Sequence, residues 1–240
     1  MRAMRSRLLA GVSAVLLTTT LAACGDDGDG DGGAKADGVA CDFPTSGTPA
    51  RDVQPPPDRA QYDGEVTAVL STSIGDLTLS LDADKAPCTV TSFASLAEQG
   101  YYDGVSCHRQ GNDPGFEFLQ CGDPNFDPKA ATPDPAVGGG GPGYTIPDEV
   151  DGTETYPAGT LAMANTGQPN TGGGQFFIVF GDSSFPPDYT VWGHLDDASL
   201  ATLKKATASG NDGYWASTGS SGGRPNTPVT FEGIELGQQP

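Results

Sequence analysis

The chain has 240 residues, 36% of them hydrophobic, enough for one sizeable core or two small ones. Lys+Arg number 12 against 31 Asp+Glu, a formal charge of −19, so no nucleic acid is expected as a partner, because counterion release needs a basic face. Gly 35 and Pro 20, without collagen's period, argue against a helical bundle and for short strands joined by many turns.

Residues 1–24 read MRAMRSRLLAGVSAVLLTTTLAAC. Arg2, Arg5 and Arg7 make a positive start, followed by the 16 residues Leu8–Ala23, short for a spanning helix of about 20 apolar residues. This is the pattern of a secretory signal over residues 1–23. Its end, Leu21-Ala22-Ala23-Cys24, resembles a bacterial lipobox, which implies cleavage before Cys24 and lipidation of its thiol. Three of the 12 basic residues leave with the signal, so 9 remain against 31 acidic ones, −22. An acidic body is not drawn to anionic headgroups, so the acyl chains alone would hold it at the extracytoplasmic face of the bacterial cell membrane.

Residues 25–37, GDDGDGDGGAKAD, lack the spacing and closing Glu of a calcium loop and read as a charge-extended tether. Pro44, Pro49 and Pro55-Pro56-Pro57 stiffen the next stretch towards polyproline II. All of 24–60 is expected as a disordered Gly/Asp/Pro-rich tether, with one folded domain at 61–240.

The alternation of Val66, Ala68, Leu70 and then Leu77, Leu79, Leu81 around Ile74-Gly75 predicts a β-hairpin. Pro87 opens a helix whose Val90, Phe93, Ala94 and Ala97 share a face until Gly100 stops it. Short strands are expected around Val105–Arg109, Glu117–Gln120, Thr160–Ala164, Gln175–Phe180 and Val191–Leu195. A second helix starts near Asp196-Asp197 and ends with Lys204-Lys205, charges that suit its dipole. Val229, Phe231, Ile234 and Leu236 predict a closing strand, and Gly-rich excursions occupy 122–143 and 208–226. Many short strands with two helices indicate a closed barrel with helical plugs.

Beyond Cys24, the chain has Cys41, Cys88, Cys107 and Cys121; outside the cytosol an even set favours disulfides, with three possible pairings. Cys-x-x-Cys is absent and the histidines are only His108 and His194, so no metal site is expected. Neither His108 nor His194 lies in a recognisable hydrolase context, and Gly172-Gly173-Gly174 lacks the lysine of a phosphate loop and precedes a strand. Binding remains, or a reaction that needs no proton transfer.

Four blocks, Cys107-His108-Arg109, Phe118-Leu119-Gln120-Cys121-Gly122-Asp123-Pro124, Ala162-Met163-Ala164-Asn165-Thr166-Gly167 and Asn170-Thr171-Gly172-Gly173-Gly174-Gln175-Phe176-Phe177-Ile178, follow one another in an order that resembles the cyclophilins. The resemblance runs from about Gln61 to Leu236. It implies a mainly β fold, a closed eight-stranded antiparallel barrel capped by two α-helices. It also implies peptidyl-prolyl cis–trans isomerase activity without a cofactor, in a monomer acting on proline-containing unfolded or loop segments of exported proteins. Arg109 matches the catalytic arginine. Gln120 opens the family's Q-G-G-D, with Cys121 in place of the first glycine. Ala164 and Asn165 match the segment that binds the substrate backbone, Gln175 a polar contact, and Phe177 the floor of the proline pocket. Phe185 and Tyr189 fall where the family has a pocket hydrophobe and then often a histidine. Extra residues between Arg109 and Gln120 leave the pocket phenylalanine as Phe116 or Phe118, while strict counting back from Gln120 reaches Glu117. Cys107 and Cys121, on neighbouring strands of the family fold, are one implied pair. Ser184 stands where cyclosporin-sensitive members have tryptophan, so weak cyclosporin binding is implied.

These residue types suit rotation about a C–N bond, whose barrier of ~18–20 kcal/mol is amide resonance. An apolar cup favours the twisted, less charge-separated amide, and a donor aimed at the proline nitrogen captures its freed lone pair. Phenylalanines supply the first, and an arginine that stays protonated supplies the second. A module that merely holds proline loops would use the same residues; turnover of a proline peptide separates the two.

Overall fold

A computed structural model of the chain describes residues 38–130, 136–215 and 221–237. The expected signal at 1–23, the expected lipidation at Cys24 and the expected tether up to residue 37 lie outside the described residues. The hairpin forms as its alternation requires: β1 (Glu65–Thr72) pairs antiparallel with β2 (Leu77–Asp82), burying Val66, Ala68, Leu70, Leu77, Leu79 and Leu81. Gly75, at φ +111°, makes the reversal and donates its N–H to Thr72 O at 3.0 Å. Helix α1 (Pro87–Glu98) begins with proline in its first turn. It closes with Tyr101 N–H on Leu96 O (2.9 Å) and Gly100 N–H on Ala97 O (3.0 Å), Gly100 taking φ +69°. Its first N–H groups are capped from afar, Cys88 and Thr89 donating to the Glu149 carboxylate at 2.9 and 2.8 Å. Helix α2 (Asp197–Thr207) is capped by Asp196, which accepts from Ser199 N–H at 2.7 Å, and carries Lys204 and Lys205 in its last turn.

Strands β3 (Arg109–Asp113), β4 (Phe116–Cys121), β5 (Thr160–Met163), β6 (Phe176–Val179), β7 (Val191–Leu195) and β8 (Phe231–Leu236) complete one sheet. Its order is β3-β4-β6-β5-β7-β2-β1-β8, with every neighbouring pair antiparallel. The fully closed barrel expected from the sequence needs one correction, since no ladder joins β3 to β8 among the described residues. The sheet curls until the segment just before β3 meets β8: Gly104 N–H reaches Phe231 O (2.8 Å), Phe231 N–H Val105 O (2.9 Å) and Cys107 N–H Val229 O (2.8 Å). The outer edge of β3 is already taken, because Gln110 exchanges hydrogen bonds with Gly223 of the 208–226 loop. The run expected as a strand at Val105–Arg109 therefore divides into a seam and the start of β3. Inside, Phe93, Tyr102, Phe176, Trp192 and Phe231 pack ring on ring, with Phe93 and Trp192 centroids 4.8 Å apart.

Residues 38–60 depart from the expected tether. Cys41 is disulfide-bonded to Cys88, anchoring the segment to α1. Ser46 and Ala50 donate to Gly143 O and Gly141 O (both 2.8 Å), Thr145 donates to Pro44 O (2.9 Å), and Val53 is buried in the core. Prolines keep this stretch extended, and an extended backbone can bond along a neighbouring loop as readily as it can float free. The second disulfide is Cys107–Cys121, the pair implied by the resemblance.

Candidate active site

Strand register lays one row of side chains across five strands. Arg109 stands opposite Gln120, Gln120 opposite Phe177, Phe177 opposite Ala162, and Ala162 opposite Val191. Their neighbours Leu119, Ile178 and Leu161 point into the core, so alternation puts the row on the outer face. Phe176 is fully buried in the core, on the side opposite Phe177.

A second apolar cluster covers that outer face. Phe177 lies 5.3 Å from both Phe185 and Tyr189 and 6.0 Å from Phe118, ring centroid to ring centroid. Both phenylalanines left open by the sequence belong to it: Phe118 is buried against Phe177, and Phe116 forms the rim, 4.8 Å from Phe118 and 5.2 Å from Phe185. Gly111 permits this, since a Cβ there would sit 2.6 Å from the Phe118 ring. Glu117 faces away, its carboxylate occupying the space a Cβ on Gly181 would need.

Tyr156 joins the cluster without any signal in the sequence. Its ring is 5.5 Å from Phe185, and its hydroxyl, 3.0 Å from Pro186 O, accepts the Tyr189 N–H at 3.1 Å. It thereby staples the loop carrying Phe185 and Tyr189. Burial pushes its pKa up to about 12, so the hydroxyl keeps its proton. A tyrosine before a proline in an aperiodic stretch carries no pattern; only the distant contact reveals it.

Arg109 stands at the edge of these rings, its Cζ 5.3 Å from the Phe118 centroid and 6.0 Å from that of Phe116. Its Nε and Nη2 donate to Ser221 O at 3.2 and 3.1 Å. Burial lowers the guanidinium's pKa while Tyr189 opposes the shift; arginine remains charged at any working pH.

Gln120 Nε2 donates to Gln175 Oε1 (3.1 Å). Gln175 in turn donates to Gly138 O and Gly140 O, both at 2.8 Å, and so pins the glycine loop beside the pocket. Buried Asp123 braces the same loop by accepting Gly138 N–H at 2.6 Å. The Asn165 side chain is spent locally, donating to Asp188 O (3.0 Å) and accepting Gly167 N–H (2.9 Å). Its backbone N–H and C=O bond to nothing among the described residues, which leaves a ready edge for an extended peptide. Ala164 and Asn165 line a cavity of about 480 Å³ walled by the Gly138–Gly143 loop and Ser46–Thr48 of the N-terminal strap.

His108, next to Arg109, is buried with neither ring nitrogen hydrogen-bonded among the described residues. Burial pushes its pKa down to about 4, Asp123 opposing and Arg109 adding to the shift. The unfolded value is about 6.5, so as pH falls the unfolded chain takes the proton first. Stability from this group is complete above about pH 6.5 and is lost as pH falls through about 4. Between about pH 7 and about pH 4.5 we expect a loss of roughly 2–3 kcal/mol in urea unfolding. His108→Gln should flatten that part of the profile; an unchanged slope in the variant assigns the loss elsewhere.

The family model described as cyclophilin type peptidyl-prolyl cis-trans isomerase/CLD matches residues 67–233. Two proteins named probable peptidyl-prolyl cis-trans isomerase B, from Mycobacterium leprae and Mycobacterium tuberculosis, are each 38% identical over 83% of this chain. The chain spans 67% and 64% of their lengths, about two thirds. Among solved structures, a cyclophilin type peptidyl-prolyl cis-trans isomerase of Cryptosporidium parvum superposes with TM-score 0.57 at 28% identity, covering 73% of this chain and 99% of its own. The same protein in the presence of the dipeptide Ala-Pro gives TM-score 0.56 at 27% identity, covering 72% and 99%.

Proposed function

Since the chain belongs to the cyclophilin-type peptidyl-prolyl cis-trans isomerase family, we propose that it accelerates rotation about X-Pro bonds in exported proteins during folding outside the cytoplasm. The observation that carries this reading is the register row that sets Arg109 at the rim of the Phe116–Phe118–Phe177–Phe185 ring cluster.

A proline ring seated on Phe177 leaves its nitrogen towards Arg109. Twisting the preceding peptide bond frees the nitrogen lone pair, and the guanidinium donates to it. The Ser221 carbonyl holds the guanidinium in place beforehand, so little reorganisation is needed at the moment of rotation. The Asn165 backbone holds the flanking peptide as an added strand. Lowering the barrier by ~7 kcal/mol would give about 10⁵-fold acceleration.

Exchange spectroscopy by NMR on a short Ala-Pro peptide tests the reading without a coupling protease. Catalytic amounts of protein should raise the cis–trans exchange rate well above that of peptide alone, and an unchanged rate removes the isomerase assignment.

For location, the Leu21-Ala22-Ala23-Cys24 run and two disulfides support a lipid-anchored protein in an oxidising compartment. Cys24→Ser should shift the protein from detergent phase to aqueous phase; equal membrane retention of both forms sinks the anchor.

A further inference from the structure

We propose that Trp215, on the 208–226 loop, is a specificity-determining residue of this site, its indole receiving an apolar or aromatic side chain next to the proline. The inference rests on the isomerase reading for its catalytic consequence and on geometry for its place.

The loop is built onto the edge of β3. Gln110 N–H donates to Gly223 O (2.8 Å) and Gly223 N–H to Gln110 O (3.0 Å). The approach is so close that a Cβ on Gly222, at φ +85°, would collide with the Gln110 carbonyl. Within the loop, Trp215 N–H donates to Gly222 O (3.1 Å). Arg224 pairs with Asp212 at 2.6 Å and reaches Ala130 O at 3.0 Å. Asn211 Nδ2 donates to Asn112 Oδ1 of β3 at 2.8 Å. These ties bring two groups of one loop to Arg109: the Ser221 carbonyl, which takes two guanidinium N–H groups, and the Trp215 ring, its centroid 6.0 Å from Cζ.

The guanidinium thus faces Phe118 and Phe116 of the pocket as well as the indole. Part of the indole stays exposed to solvent beside Arg109. Covering it would remove apolar area from water, and a flanking side chain of the substrate is in position to do so. Sheet order separates this wall from the peptide edge at Asn165, because β3 and the end of β5 lie three places apart. A proline held among the rings therefore has one neighbour directed towards Asn165 and the other towards Trp215.

Two pairs of peptides test the proposal, one with Phe or Gly directly after the proline and one with Phe or Gly directly before it. In the intact protein one pair should show a preference for Phe. Trp215→Ala should lower kcat/KM for that Phe peptide about 10-fold, chiefly through KM, and for its Gly counterpart no more than about 3-fold, while Trp215→Phe keeps most of the preference. Equal losses on Phe and Gly peptides, or none, overturn it.

A second readout does not depend on turnover. Only two tryptophans are present, and Trp192 is sealed in the core, so a fluorescence change on titrating the Phe peptide reports Trp215. The change should vanish in Trp215→Phe; fluorescence indifferent to the peptide counts against the proposal. A wild-type protein that fails to accelerate exchange but shows the fluorescence change loses the isomerase reading and keeps Trp215 at the peptide site.

Discussion

Arg109→Ala should reduce kcat/KM on an Ala-Pro peptide by about 30- to 1000-fold, the ~2–4 kcal/mol typical of removing one preorganised donor. Ground-state affinity should change far less, because the proline nitrogen offers the guanidinium an acceptor only once the amide twists and the nitrogen regains a lone pair. Arg109→Lys should recover little. An ammonium is a point charge; it cannot donate from Nε and Nη2 to Ser221 O and still present a flat cationic face to Phe118. The substitution leaves folding largely intact, since Arg109 lies at the rim and its acceptor is a backbone carbonyl that water can reach. Melting curves should confirm that. A folded Arg109→Ala protein that exchanges the peptide at the wild-type rate removes Arg109 from the mechanism.

Much of this site is legible in the order of the amino acids alone, and the reason is periodicity. Alternation along Gln175-Phe176-Phe177-Ile178 already assigns Phe176 and Phe177 to opposite faces, and the structure places them so. The helix boundaries at Pro87, Gly100 and Asp196 are chemical punctuation with local causes. What escapes the sequence is held by contacts between distant segments. Cys41–Cys88 and the 44–50 strap are such contacts; an extended proline-rich stretch has the same composition whether it packs or floats. Tyr156, the Glu149 cap on α1 and Trp215 are further cases, each meaningful only beside a partner tens of residues away. The seam is missed for a different reason, since which edge of β3 is free depends on where a Gly-rich loop lands. The choice between Phe116 and Phe118 dissolves because both side chains share one face of β4 and a single ring cluster.

The paired substitutions Phe176→Ala and Phe177→Ala separate folding from function at adjacent positions. Phe176 is fully buried among Phe93, Tyr102, Trp192 and Phe231, with centroids 5.6 to 6.0 Å away. Its removal opens a cavity in the main core and should cost about 3–5 kcal/mol of stability. At temperatures where the variant stays folded, its kcat/KM should stay within a few-fold of wild type. Phe177 belongs to the outer cluster, and on the proposed binding mode truncating it empties the floor under the proline ring. That weakens ground state and transition state together, so KM should rise more than kcat falls, with kcat/KM down about 10- to 100-fold for ~1.5–3 kcal/mol of lost burial. Its stability cost should be the smaller of the two, because Phe118, Phe185 and Tyr189 can close over the gap from a surface open on one side. Denaturant midpoints and exchange rates on the same two proteins decide the matter. If Phe176→Ala, folded, loses as much kcat/KM as Phe177→Ala, the outer face of the sheet is not where the proline binds.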